Sequence, residues 1–180
     1  MTLRELLSPT RAFKTATESL LLTWKEIASL FGLNQDIYVN PLHKPLSKPV
    51  TAILIGAGHR GNIYADYSFI RPDEVKIVGI SEPHAVRNGR FARKHDIPAA
   101  NRFYDWEDVF KREKFADAVI IATPDNLHAA PCLQALEKGY DVLLEKPIAP
   151  TEEECRLILN TAKAKGRTAS VPRTRKKAAA

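Results

Sequence analysis

The sequence predicts an α/β fold: a doubly wound parallel sheet with a helical N-terminal extension and a basic C-terminal tail. Three observations predict it. Between Pro49 and Val171, short apolar runs alternate with longer stretches of helical pattern. Such alternation builds a parallel sheet with right-handed crossovers. The first apolar run, ending Ile53-Leu54-Ile55, breaks into Gly56-Ala57-Gly58-His59-Arg60-Gly61, a G-x-G-x-x-G pattern between a strand and a helix. A later run, Ala116 to Ala122, is largely apolar and β-branched, as a sheet buried on both faces requires.

The elements follow in order. Residues 1–37 read as a helical extension. Ser8-Pro9 suits N-cap and N1, and Thr23-Trp24-Lys25-Glu26 suits a capping box ahead of Ile27, Leu30 and Phe31, with Gly32 as the stop. Residues 38–48, with Pro41 and Pro45, read as an extended linker. The alternating domain takes residues 49–171. Its first strand is Val50 to Ile55, followed by a helix from about Arg60 to Phe69. A second strand, Val75 to Ile80, precedes a helix from about Ala85 to His95. A short strand near Asn101 to Phe103 leads into a helix from Trp106 to Arg112. After the Ala116–Ala122 strand, Thr123-Pro124 reads as N-cap and N1 of a helix closed by Gly139. Tyr140 to Leu144 is the fifth strand. Thr151-Glu152-Glu153-Glu154 is a capping box for a helix ending at Gly166, and Thr168 to Val171 starts a sixth strand. Residues 172–180 form the tail.

Charge excludes one class of partner. The net charge is +6, but seven of the 27 basic residues and none of the 21 acidic ones lie from Lys163 onward. The basic excess therefore belongs to the end of the chain, not to a folded face, and nucleic acid is not the expected partner. The Arg173-Thr174-Arg175-Lys176-Lys177 tail could touch phosphates, yet no recognition helix follows Gly32. No apolar run approaches the roughly 18 residues of a membrane span. Leu20-Leu21-Leu22 is too short for a signal peptide, so a cytoplasmic protein is expected. Cys132 and Cys155 have no metal or redox spacing and read as plain thiols. No metal site is expected, and no serine is set in a nucleophile elbow.

The chemistry concentrates at the ends of strands. In the glycine loop, Gly56 allows a sharp turn, Gly58 lets backbone approach a pyrophosphate, and Gly61 lets the helix lie close on the strand. The helix N-terminus offers free N–H groups to phosphates. Strand two ends in Ser81-Glu82, and Glu82 lies 21 positions after Gly61, where a dinucleotide fold puts its ribose-binding acid. A carboxylate there accepts from both ribose hydroxyls and repels a 2′-phosphate, which favours NAD. Arg60 and Arg87 lie near enough in sequence to admit NADP. Of the remaining histidines, His43 falls in the linker, and His84 and His95 fall at helix ends, where solvent is expected around them.

Residues 49–171 resemble the N-terminal NAD(P)-binding Rossmann domain of the Gfo/Idh/MocA oxidoreductase family. The resemblance rests on Gly56-Ala57-Gly58-His59-Arg60-Gly61, Ser81-Glu82-Pro83, Thr123-Pro124-Asp125-Asn126-Leu127-His128, Ala135-Leu136-Glu137-Lys138-Gly139 and Glu145-Lys146-Pro147, in that order. It implies that the loop from Gly56 to Gly61 holds the pyrophosphate and Glu82 the ribose. Thr123, Pro124, Asn126 and His128 would line the nicotinamide half. Glu145 and Lys146 would sit beside the nicotinamide and the substrate carbon. Lys146 is the catalytic candidate, hydrogen-bonding a substrate hydroxyl and stabilising the oxyanion that forms as hydride leaves. Burial and a nearby carboxylate would tune it. Pro147 would fix the backbone after the lysine, with a cis bond before it. The implied substrate of the complete enzyme is a small sugar-like or cyclitol alcohol.

The family carries a second domain that supplies most substrate contacts. Here Pro172-Arg173-Thr174-Arg175-Lys176-Lys177 follows the sixth strand, and nine residues remain after Val171. Three expectations stay open: a truncated or frame-shifted product, a deliberately cut domain, or a chain that pairs with a separate one or with copies of itself. A non-catalytic NAD(P)-binding module is the competing functional class.

Overall fold

The computed structural model describes residues 46–172. The predicted helical extension, most of the linker, His43 and the tail beyond Pro172 lie outside the described residues. The order of elements is β1 (Val50–Ile55), α1 (His59–Ile70), β2 (Val75–Ser81), α2 (Ala85–Lys94), β3 (Arg102–Phe103), α3 (Trp106–Lys111), β4 (Ala118–Ile121), α4 (Ala129–Glu137), β5 (Asp141–Leu144), α5 (Glu152–Lys165) and β6 (Ala169–Ser170). All strand pairs are parallel, in the order β3-β2-β1-β4-β5-β6. The order reverses between β1 and β4. In such sheets ligands bind at the carboxyl ends of the strands beside that reversal.

Alternation along the strands explains the two-layer burial. Ile53 and Ile55 of β1 join Val119 and Ile121 of β4 and Val142 and Leu144 of β5 on one face. There Val109 and Phe110 of α3, Cys132 and Leu136 of α4, and Ile158 of α5 cover them. Ala52, Leu54, Ile77, Ile80 and Ile120 face the other way, beneath Ala65 of α1 and Phe91 and Ala92 of α2. Both faces are covered, so the strands read as unbroken apolar runs. Each fully buried Leu, Ile or Phe in these layers contributes about 1.5–3 kcal/mol.

Local chemistry sets the ends. Asp105 caps α3, accepting from Glu107 N–H at 3.1 Å. Thr151 and Glu154 form the predicted capping box of α5, and Gly166 closes that helix in the left-handed region at φ 59°. Gly139 follows α4 at φ 79°. Cys132 is buried in α4 and Cys155 half-buried in α5, both as free thiols.

Two expectations are corrected. Thr123-Pro124 does not start α4. Pro124 is extended (φ −57°, ψ 150°), a single 3-10 turn spans Asp125–Leu127, and α4 begins at Ala129. The Thr123 hydroxyl donates to the Leu127 carbonyl at 2.9 Å instead of accepting a helical N–H. Nor is His95 solvated. Its ring is enclosed between Phe69 (centroids 4.6 Å apart) and Phe91 (4.3 Å), with the side chain 2 % exposed. The C-terminal ends of α1 and α2 converge there, and burial of the ring outweighs its polarity.

Candidate functional site at the carboxyl edge of the sheet

The glycine loop connects β1 to α1, and each glycine meets a different constraint. Gly56 has φ +92°, and a Cβ on it would lie 2.7 Å from the Ala122 carbonyl oxygen. A Cβ on Gly61 would lie 2.0 Å from the Gly56 carbonyl oxygen. Turn and helix–strand contact therefore both exclude a side chain. Gly58 is different: it has an ordinary φ of −70°, and a Cβ there would meet nothing within 4 Å. Its open side is a cradle that a methyl group would fill. The Asn62 amide steadies the loop from within α1, donating to the Ala57 carbonyl at 3.0 Å and the Gly58 carbonyl at 2.9 Å.

Glu82 follows β2 and is buried. Its carboxylate accepts from the Ala57 N–H at 2.9 Å, the His84 N–H at 2.9 Å and the Arg87 guanidinium at 2.7 Å. Burial alone would raise its pKa. Arg87 and the two backbone donors outweigh that and hold the carboxyl below its usual range, so it is ionised at neutral pH. Buried Asn88 of α2 spans the Glu82 carbonyl (3.0 Å) and the Phe103 carbonyl (2.7 Å), locking the strand end in place.

At the end of β5, Glu145 is buried while Lys146 is exposed. The expected burial of Lys146 is thus corrected: the chain turns outward after Glu145. The Lys146–Pro147 bond is cis, as expected. Glu145 meets two side chains from α1. Tyr64 donates its hydroxyl to one carboxylate oxygen, and the Arg60 Nε lies 3.6 Å from the other. Residues 60 and 64 are one helical turn apart, so both reach the same carboxylate. His59 is exposed at the start of α1.

The segment from Thr123 to His128 lies between these two strand ends. Pro124 and Asn126 are exposed. His128, expected to line a ligand, is instead fully buried. Its Nδ1 lies 2.7 Å from the Pro147 carbonyl and its Nε2 2.9 Å from the Thr123 carbonyl. It ties the Thr123–His128 segment to the cis-proline segment. Sequence reasoning missed Tyr64 and Arg87 as partners of Glu145 and Glu82. Arg87, in the first turn after Glu82, was the one available signal.

Among the described residues, no three or more His, Cys, Asp or Glu side chains come together as a metal set, and no helix is long and apolar enough to cross a membrane. The donors present suit a dinucleotide: an open glycine cradle, an ionised acid at the end of β2, and exposed polar groups at the ends of β4 and β5.

Comparison with known proteins agrees with this geometry. Residues 50–172 match a family model described as the GFO_IDH_MocA oxidoreductase family, NAD-binding Rossmann fold. An inositol 2-dehydrogenase of Corynebacterium glutamicum is 35% identical over 108 residues, which are 60% of this chain and 31% of that one. A scyllo-inositol 2-dehydrogenase (NADP(+)) of Bacillus subtilis is 34% identical over 94 residues, 52% of this chain and 28% of that one. The chain thus spans about a third of the length of these relatives. The WlbA dehydrogenase of Bordetella pertussis, solved with NADH and UDP-GlcNAcA, shares the fold with a TM-score of 0.64 at 20% identity, over 69% of this chain and 36% of that one. An NAD-binding protein from Listeria innocua superposes with a TM-score of 0.59 at 29% identity, over 69% of this chain and 35% of that one. The chain belongs to the Gfo/Idh/MocA oxidoreductase family through its NAD-binding Rossmann domain.

Proposed function

We propose that residues 49–171 bind NAD, with NADP also admitted, and serve hydride transfer between nicotinamide and a sugar- or cyclitol-like alcohol in the complete enzyme. The observation that carries the reading is the pairing of an ionised, buried Glu82 with the Ala57 N–H beside the open face of Gly58. Backbone from Gly56 to Gly61, with Ala57, His59 and Arg60, would hold the pyrophosphate. Glu82 would accept from the ribose hydroxyls. Thr123, Pro124 and Asn126 would border the nicotinamide half, with His128 holding their segment from behind. When bound, the nicotinamide supplies a two-electron acceptor or donor. The Lys146 ammonium would donate a hydrogen bond to the substrate oxygen and stabilise its developing negative charge. Glu145, held by Tyr64 and Arg60, would fix where Lys146 departs from β5. The cyclitol class is supported by the names of the inositol dehydrogenase relatives. The same reading puts the protein in the cytoplasm, with a homo-oligomer or a separate chain as its macromolecular partner.

Titration with NADH, followed by nicotinamide fluorescence, tests the binding. Saturable binding is expected, weakened about 10–100-fold in Glu82→Gln, the range set by hydrogen bonds to a charged group. Absence of NADH binding to the unaltered chain sinks the reading. A second reading is a binding module without turnover, favoured by the outward, one-sided setting of Lys146. NADH binding without oxidation of any polyol in a panel supports the module. Turnover that disappears in Lys146→Met, with NADH affinity retained, supports the enzyme.

A further inference from the structure

One helix, α1, meets the glycine loop at its start and the end of β5 a turn further on. Asn62 ties α1 to the loop by donating to the Ala57 and Gly58 carbonyls at 3.0 Å and 2.9 Å. Gly61 lies so close to the Gly56 carbonyl that the helix has no room to slide against it. Loop and helix therefore move as one body. Tyr64 lies six residues after Gly58, about 9 Å along the helix. Its ring packs against the core beneath α1 and α2, and its hydroxyl donates to Glu145 Oε2. Arg60 Nε reaches only to 3.6 Å from Oε1, on a side chain 53% exposed, so solvent weakens that pair. The Glu145 N–H donates to the Ile121 carbonyl at 2.9 Å, and Lys146 follows it into solvent. Tyr64 thus joins the helix that borders the phosphate cradle to the strand end that carries the lysine.

We propose that Tyr64 is a positioning residue that makes Lys146 answer to the nucleotide. Phosphate held at the glycine loop fixes α1, and the Tyr64 hydroxyl passes that order through the Glu145 carboxylate to the lysine beside it. Tyr64 acts through Glu145 and not by touching the nucleotide. Without the hydroxyl, loop and strand end are ordered separately, and a filled cradle leaves Lys146 as it was. The inference rests on the proposed NAD(P) site and adds to it a link between cofactor binding and the lysine.

Competitive acetylation with acetic anhydride, read at each lysine by mass spectrometry with and without saturating NADH, tests the link. It is run on the full chain, Tyr64→Phe, Glu145→Gln and the double variant, with NADH affinity measured by nicotinamide fluorescence. Phenylalanine keeps the ring and removes only the hydroxyl, and unchanged far-ultraviolet circular dichroism shows that each variant is folded. In the unaltered chain NADH should slow acetylation of Lys146 at least about fivefold, the lower end of coupling between two sites, and leave exposed Lys111 and Lys163 unchanged. In Tyr64→Phe that protection should fall below about twofold while NADH affinity changes by less than about threefold. Glu145→Gln should lose the protection to the same degree, and adding Tyr64→Phe to it should change nothing more, because residues acting in series are not additive. Protection retained in Tyr64→Phe would overturn the proposal. So would protection and NADH affinity lost together in that variant, or a further loss in the double variant. NADH binding to the unaltered chain with no protection of Lys146 overturns this link and leaves the NAD(P) site standing. Failure of the unaltered chain to bind NADH overturns the site itself, and this proposal with it.

Discussion

At position 58 a methyl group would touch nothing, whereas at positions 56 and 61 it would strike backbone carbonyl oxygens at 2.7 Å and 2.0 Å. The three glycines of one motif therefore answer to different constraints, and substitution should separate them. Gly58→Ala should change stability by no more than about 0.5 kcal/mol, the loss of a good N-cap offsetting the reduced freedom of the unfolded chain. It should nevertheless weaken NADH binding at least about tenfold, because the methyl group occupies the space a pyrophosphate needs. Gly61→Ala should cost about 3 kcal/mol or more, because backbone must move. Urea denaturation beside NADH titration checks both, and a destabilised Gly58→Ala would show that the open space is not open in solution. The turn at Gly56 and the close contact at Gly61 were legible in the sequence. The partners of Glu145 were not. Tyr64 and Glu145 lie 81 positions apart, and nothing local to either residue marks the other.

Helix and strand limits were mostly legible, because punctuation residues stand at them. Asp105, Thr151, Gly139 and Gly166 each end or begin an element as their chemistry predicts. Thr151→Ala should therefore cost about 1 kcal/mol, read as a lower urea midpoint at unchanged slope, and Thr151→Ser should restore most of it. The start of α4 was not legible. Thr123-Pro124 has the composition of a helix start, but the buried His128 ring holds the Thr123 carbonyl and the Pro147 carbonyl together. A contact between β4 and β5 ends thus overrides a local signal and delays the helix by a turn. Lys146 gave a similar lesson. Leu144 and Glu145 before it are buried and the lysine itself is exposed, which no local pattern announces.

For the whole molecule, the alternating pattern carried the fold, since a sheet buried on both faces leaves few alternatives to strand order and crossover. It did not carry the converging ends of α1 and α2, where His95 lies between two phenyl rings. Burial, followed by the Lys94 charge, depresses the His95 pKa to about 4, against the pull of Asp66 and Asp96. Above pH 6.5 the ring is neutral in both folded and unfolded chains and the shift has no effect. As pH falls from about 6.5 to 4, the unfolded chain takes up a proton that the folded chain refuses, so stability is lost across that window. Allowing for solvent screening, the loss is about 1–2 kcal/mol. Glu82 adds to it at lower pH: its depressed pKa stabilises the fold above pH 4.5 and that contribution disappears as pH falls through the folded value. Urea midpoints measured from pH 7 to pH 4 should fall, and His95→Phe should flatten the upper part of that fall. An unchanged profile in His95→Phe would mean that the ring is already charged in the folded chain.

The open side of Gly58 has a consequence for descent. Two glycines of the loop are required by the polypeptide itself and would persist in any lineage that kept the shape. The third is not, and only a bound guest would require it. In a copy of this domain released from selection for nucleotide, position 58 would be the first of the three to drift, while Gly56 and Gly61 stayed. The residue found there distinguishes an inherited scaffold from a site still in use.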